Sequence, residues 1–211
     1  MNYLAVDETF EELIVISKSK FITTLTPISS QEDAIEKLNI IKKKYSDATH
    51  NCYAYISSQS ALEQKFSDDG EPQGTAGVPI LEVLKKRKVY MTLAVVTRYF
   101  GGIKLGASGL VGTYSSCVAS AIDKAKIVEY KESNGFVVHT DYSTYKKIQE
   151  IIENYSGQVQ DIEYLDKIIV KAILPKEDVE ECKKAVIDKS NGQAQIEILE
   201  TKYNKFIKEA K

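Results

Sequence analysis

Two glycine-rich stretches hold most of the residue types able to do chemistry. In the first, Asp68-Asp69-Gly70-Glu71-Pro72 packs three carboxylates into four positions. That density could supply hard oxygen ligands, or an acid and a base. The ligand spacing of an EF-hand is missing, and Asp and Gly are ordinary turn formers. Asp68 or Asp69 could equally pair with Arg98. In the second stretch, Arg98-Tyr99-Phe100-Gly101-Gly102-Ile103-Lys104-Leu105-Gly106-Ala107-Ser108-Gly109 leads from a β-rich run into an amphipathic segment. A helix starting there presents free N–H groups and a partial positive charge. Arg98 and Lys104 bracket the loop, and glycines let a ligand approach the backbone. Anion binding by Arg98, Tyr99, Gly101, Gly102, Lys104, Gly106 and Ser108 is the reading, with a purely structural strand-to-helix turn as its competitor. The stretch is neither a Walker A loop nor a dinucleotide fingerprint.

His50 and Cys52 pair a base with a nucleophile in type. On a strand they share a face but lie ~7 Å apart along the backbone, too far for a direct hydrogen bond. The catalytic candidates are therefore His50, Asp68, Asp69 and Glu71, none with an assembled triad. Thr75 is expected to cap the helix after the first loop, with Gly70 and Cys52 as loop support. No metal site and no cofactor is expected.

The flanking patterns must position these residues. Glu11–Pro27 reads as two strands broken at Ser17-Lys18-Ser19-Lys20. Ser29 or Ser30 caps a helix carrying Ala34, Ile35, Leu38 and Ile41 inward, closed by Lys42-Lys43-Lys44. Cys52–Ser57 and Leu62–Phe66 read as strands. A short helix with Pro79 in its first turn buries Ile80, Leu81 and Leu84. Val89–Phe100 reads as a buried strand, and Leu110, Val111, Tyr114, Cys117, Val118, Ala121 and Ile122 form the inner stripe of a helix. Ser133-Asn134-Gly135 punctuates the chain. Beyond it the pattern is βαββαβ, the split-βαβ, ferredoxin-like order. The expectation is an α+β protein with domains at 1–134 and 135–211.

Composition limits the function. The 211 residues carry 28 Lys+Arg against 30 Asp+Glu, a net charge of −2. That excludes a strongly basic nucleic-acid binder but not a local basic face. Arg87 and Arg98 are the only arginines, so bidentate forks are scarce. Lys42-Lys43-Lys44 and Lys85-Lys86-Arg87-Lys88 end helices and read as dipole complements, or as phosphate contacts if they share a face with Arg98 and Lys104. Three scattered cysteines argue against a disulfide framework. The acidic start lacks the pattern of a signal peptide, and no apolar run approaches membrane-spanning length. A cytoplasmic protein is expected.

Three motifs in order resemble the YigZ/IMPACT family: Ala48-Thr49-His50-Asn51-Cys52-Tyr53-Ala54-Tyr55, Phe66 through Gly77, and Val95 through Gly106. The resemblance covers essentially the whole chain. Ser108 stands where the family commonly has Gly, and Gly112 where it has a cation, which weakens an anion site at the following helix. The resemblance implies an N-terminal domain similar to elongation factor G domain IV, of the ribosomal-protein type with a left-handed βαβ crossover. It also implies a C-terminal domain similar to that factor's last, ferredoxin-like domain. Eukaryotic relatives restrain the kinase of initiation factor two through an extra N-terminal domain, so that partner does not carry over to these residues. For bacterial relatives it implies binding of RNA or a ribosomal surface near translation, without DNA sequence specificity.

Three functional readings stand side by side. The first is a non-enzymatic regulatory protein binding RNA, the ribosome or another phosphate-containing ligand through the glycine loop. The second is a hydrolase or phosphotransferase for small molecules, with the acidic loop and Arg98 in one pocket. The third is a protein-interaction module with structural loops.

Overall fold

The computed structural model describes residues 2–206. The chain divides into two units, Tyr3–Glu129 and Tyr130–Phe206. In the first, a short strand β1 (Tyr3–Val6) lies parallel beside Val89, with no counterpart in the sequence reading. It is followed by β2 (Phe10–Ile16), β3 (Ser19–Pro27), α1 (Gln31–Lys44), β4 (His50–Ile56), β5 (Gln64–Ser67), α2 (Gly77–Lys86), β6 (Thr92–Tyr99) and α3 (Gly106–Lys124). The main sheet has the order β2-β3-β6-β4-β5, with each neighbouring pair antiparallel. β2 and β3 close through Ser17 and Lys18 at φ 47° and 62°, the left-handed pair that a two-residue hairpin needs.

β6 is central, and this decides its composition. Leu93 and Val95, with Tyr55 of β4, pack against Ala34, Leu38 and Ile41 of α1. On the opposite face Phe21 of β3 and Cys52 of β4 meet Tyr114 of α3. Covered on both faces, Leu93-Ala94-Val95-Val96 reads as an unbroken apolar run rather than an alternation. Ser30 caps α1 by accepting from the Asp33 N–H at 3.2 Å. Two residues assigned inward prove more exposed: Ile35 of α1 and Val111 of α3.

The second unit follows the expected order. β7 (Ile127–Thr140) is joined by α4 (Tyr145–Asn154), β8 (Gln158–Tyr164), β9 (Ile168–Pro175), a 3-10 turn at Lys176–Asp178, α5 (Val179–Lys189) and β10 (Gln195–Phe206). β7 pairs with β9 and β10, and β9 with β8, the order of a split-βαβ sheet. Ile148, Ile152, Cys182 and Val186 close the core over Phe136, Val138, Val170 and Leu174. Ser133-Asn134-Gly135 is not a break but lies inside β7. A Cβ at Gly135 would stand 2.9 Å from Leu199 Cδ1, and Asn134 donates to the Leu199 carbonyl at 2.9 Å. The glycine is there for close approach to β10, and the unit division falls at 129/130.

Candidate functional site

Sheet register brings the first motif to the third. His50 of β4 sits directly across from Arg98 of β6, and Arg98 across from Phe21 of β3. Arg98 is only 5% exposed. Its Nη1 donates to Glu71 Oε1 at 2.6 Å, and its Nη2 to Ser19 Oγ at 3.4 Å. The guanidinium lies 5.3 Å and 5.4 Å from the ring centroids of Phe21 and Phe100. Its Nε–H is buried without an acceptor. Arg98 is therefore not a free anion contact; its charge is neutralised by Glu71, and neither Asp68 nor Asp69 is the partner. Glu71 Oε1 also accepts from the Tyr114 hydroxyl at 2.7 Å, a phenol that burial pushes up.

The aspartates of the loop are structural. Asp68 Oδ2 accepts from the Gly74 N–H, and Oδ1 from those of Ala76 and Gly77, at 2.8–2.9 Å. Burial favours the neutral acid, but these three donors outweigh it and hold the Asp68 carboxyl below its usual range. Asp68 thus caps α2 from outside. Thr75 does not: its hydroxyl donates to the Pro72 carbonyl at 2.6 Å. Asp69, at φ 45°, accepts from the Asn51 N–H at 2.6 Å and pairs with Lys42 at 2.7 Å.

That strained conformation aims the Asp69 carbonyl at His50 Nδ1, 2.9 Å away. A carbonyl only accepts, so Nδ1 carries a proton and Nε2 is the acceptor of the neutral ring. Glu71 Oε2 lies 3.9 Å from Nε2. Gly70, at φ +89°, lies flat against the ring: a Cβ there would stand 3.3 Å from Nδ1. Cys52 is fully buried, donates to the Asp68 carbonyl at 2.9 Å, and is pushed up to about 12 by burial. It supports the loop and is no thiolate nucleophile.

These groups border a cavity of about 440 Å³, within the range of small-ligand sites. His50, Glu71 and Arg98 line it together with Phe100, Lys104 and the start of α3 at Gly106 and Ala107. The N-terminus of α3 opens here with no side-chain cap. With Arg98 and Glu71 cancelling, the uncompensated positive features are Lys104 and the free N–H groups of that helix end. Of the expected anion residues, Arg98, Lys104 and Gly106 line the cavity, whereas Tyr99, Gly101, Gly102 and Ser108 do not. Tyr99 donates to Asp47 at 2.7 Å. Gly101 packs on the β2–β3 turn, where a Cβ would fall 2.0 Å from the Lys18 carbonyl carbon. Gly102, at φ +86°, is open to solvent. Thr49, Phe100, Ser19 and Tyr114 stand in the sequence only as motif, turn or core residues; the pairing of distant strands gives them a place at the site. No cluster of three His, Cys, Asp or Glu able to hold a metal ion exists among the described residues. No helix among them is long and apolar enough to cross a membrane.

Comparison with known proteins agrees with this layout. Residues 17–122 match the Impact N-terminal domain, and residues 138–193 match a domain of unknown function, DUF1949. The chain is 39% identical over 202 residues to "IMPACT family member YvyE" of Bacillus subtilis, covering 96% of this chain and 93% of that protein. It is 32% identical over 187 residues to "IMPACT family member YigZ" of Escherichia coli, covering 88% and 92%. A solved structure described as that of a hypothetical protein superposes with a TM-score of 0.59 at 29% identity, covering 94% of this chain and 98% of that one.

Proposed function

This chain belongs to the IMPACT family, and from that premise we propose that it is a regulatory protein acting near translation that binds single-stranded RNA, free or on a ribosomal surface. The observation that carries the reading is the uncapped N-terminus of α3 opening, beside Lys104, into a cavity of nucleotide size. A phosphate meets the helix N–H groups and the Lys104 ammonium. The exposed Phe100 ring offers a stacking face to the adjoining base. The likeness to the elongation factor G domains, implied by the motifs, supports the same destination.

The cavity has room for one or two phosphates, not a long backbone track. Single-stranded RNA loses about 0.7 in salt slope per neutralised phosphate. A slope between about −0.7 and −1.4 is therefore expected, against −4 or steeper for a protein with six contacts or more. The test is fluorescence anisotropy of labelled single-stranded RNA across a salt series, wild type against Lys104→Ala. Weaker binding with a shallower slope in the variant supports the reading. Equal affinity and slope in both proteins, or no binding at low salt, overturns it.

A further inference from the structure

We propose that His50 is a general base and that the cavity cleaves the RNA it binds, by transesterification at the 2′-hydroxyl. This rests on the RNA reading above and goes one step beyond it. Four observations carry it. First, the Asp69 carbonyl fixes the proton of His50 on Nδ1, so Nε2 is the nitrogen left to accept one. A base oriented by a third group is the arrangement that proton abstraction requires. Second, the ring is held on purpose. Asp69 sits at φ 45° and Gly70 at φ +89°, and both left-handed conformations serve to bring the loop backbone against the imidazole. Third, Glu71 Oε2 stands 3.9 Å from Nε2, while its Oε1 is already occupied by Arg98 and Tyr114. One carboxylate oxygen is left to face the imidazolium that forms when His50 takes a proton.

Fourth, the described residues lining the cavity offer no free hydroxyl or thiol nucleophile. Among the described residues lining the cavity, Thr49 has the one hydroxyl and there is no thiol. Thr49 Oγ accepts from the Phe100 N–H at 3.0 Å. Cys52 is sealed against the Asp68 carbonyl. A base and a phosphate cradle without a nucleophile suit a substrate that carries its own, and the RNA 2′-hydroxyl is one.

The step balances without a metal or a redox partner. His50 Nε2 removes the 2′-hydroxyl proton, and the 2′-oxygen attacks the adjacent phosphorus. The bond from phosphorus to the 5′-oxygen breaks, and that oxygen leaves with its electron pair and takes a proton from solvent. The products are a 2′,3′-cyclic phosphate and a 5′-hydroxyl, and His50 returns its proton to solvent. Lys104 and the α3 N–H groups stabilise the charge that grows on the phosphoryl oxygens.

The experiment follows labelled single-stranded RNA incubated with the full chain in excess EDTA. Anisotropy gives binding on the same samples, and product ends are identified by mass spectrometry. We expect cleavage leaving 2′,3′-cyclic phosphate ends and none on the all-deoxy analogue. His50→Ala, purified identically, should be slower by about 100-fold or more, the usual range for a general base. Added imidazole should restore part of that rate. Hydrogen exchange at the Arg98 amide, opposite position 50, reports whether the variant keeps its fold. RNA that binds but stays intact with wild type overturns the catalytic inference and leaves the binding proposal standing. Absence of binding removes both. Cleavage that persists unchanged in folded His50→Ala, or that acts on the deoxy analogue, also overturns it.

Discussion

Replacing Arg98 with Met tests whether this side chain is a buried structural cation or an exposed phosphate contact. The side chains of Arg98 and Glu71 are 6% and 3% exposed. Removing one partner of such a pair leaves the other charge buried and costs about 3–5 kcal/mol. After Arg98→Met, Glu71 keeps one hydrogen bond, from the Tyr114 hydroxyl at 2.7 Å, with His50 Nε2 3.9 Å away, so the penalty belongs in that range. The double variant Arg98→Met, Glu71→Gln removes both charges. Both variants lose the orphaned Nε–H, so its cost of about 1–3 kcal/mol cancels between them. The double variant should therefore regain at least half of what the single one loses. Because the chain has two units, the readout must be local. Hydrogen exchange of β4 and β6 amides across a urea series reports on the right sheet. A single-variant cost under about 1 kcal/mol, the range of a solvated surface pair, refutes the reasoning.

The adjacent glycines Gly101 and Gly102 should respond differently. Gly101→Ala drives a Cβ into the Lys18–Ser19 backbone, so the sheet must shift, costing about 3 kcal/mol in thermal unfolding. Gly102→Ala meets nothing within 4 Å and pays only for its φ of +86°, about 1–2 kcal/mol. Asp68 sets an acid limit. Its folded pKa lies below the unfolded one, so its contribution is complete above the ordinary carboxylate value near 3.8 and is lost as pH falls through the lower folded value. Unfolding measured between about pH 5 and pH 2 should show a stability loss that Asp68→Asn flattens. The three thiols are buried and burial pushes them up, Cys52 and Cys117 to about 12 and Cys182 to about 11. Alkylation at neutral pH should label none of them in the native protein and all three in urea; rapid native labelling of Cys52 would contradict its placement.

Periodicity made much of this fold legible. The run around β6, the inward stripe of α3 and the βαββαβ order were readable because burial imposes them locally. Gly135 was misread because a glycine that admits a neighbouring strand looks, in sequence, like one that turns the chain. The cap of α2 was assigned to Thr75 by proximity, yet Asp68 reaches it across a folded loop. The site was only half visible. His50, Glu71 and Lys104 were named as candidates, but which carboxylate answers Arg98 depends on strand register between β4 and β6 and on the path of the loop. Neither is encoded within a short window. The same distance hid Ser19 and Tyr114, whose polar groups matter only once three strands and α3 are assembled around them.

The most direct test of the binding site follows backbone amide resonances during titration with single-stranded RNA. The α3 cradle requires the largest shifts at Gly106 and Ala107, joined by Thr49 and Phe100. Shifts concentrated at Lys85–Lys88 on the end of α2, with Lys104–Ala107 unmoved, would place RNA elsewhere and contradict it.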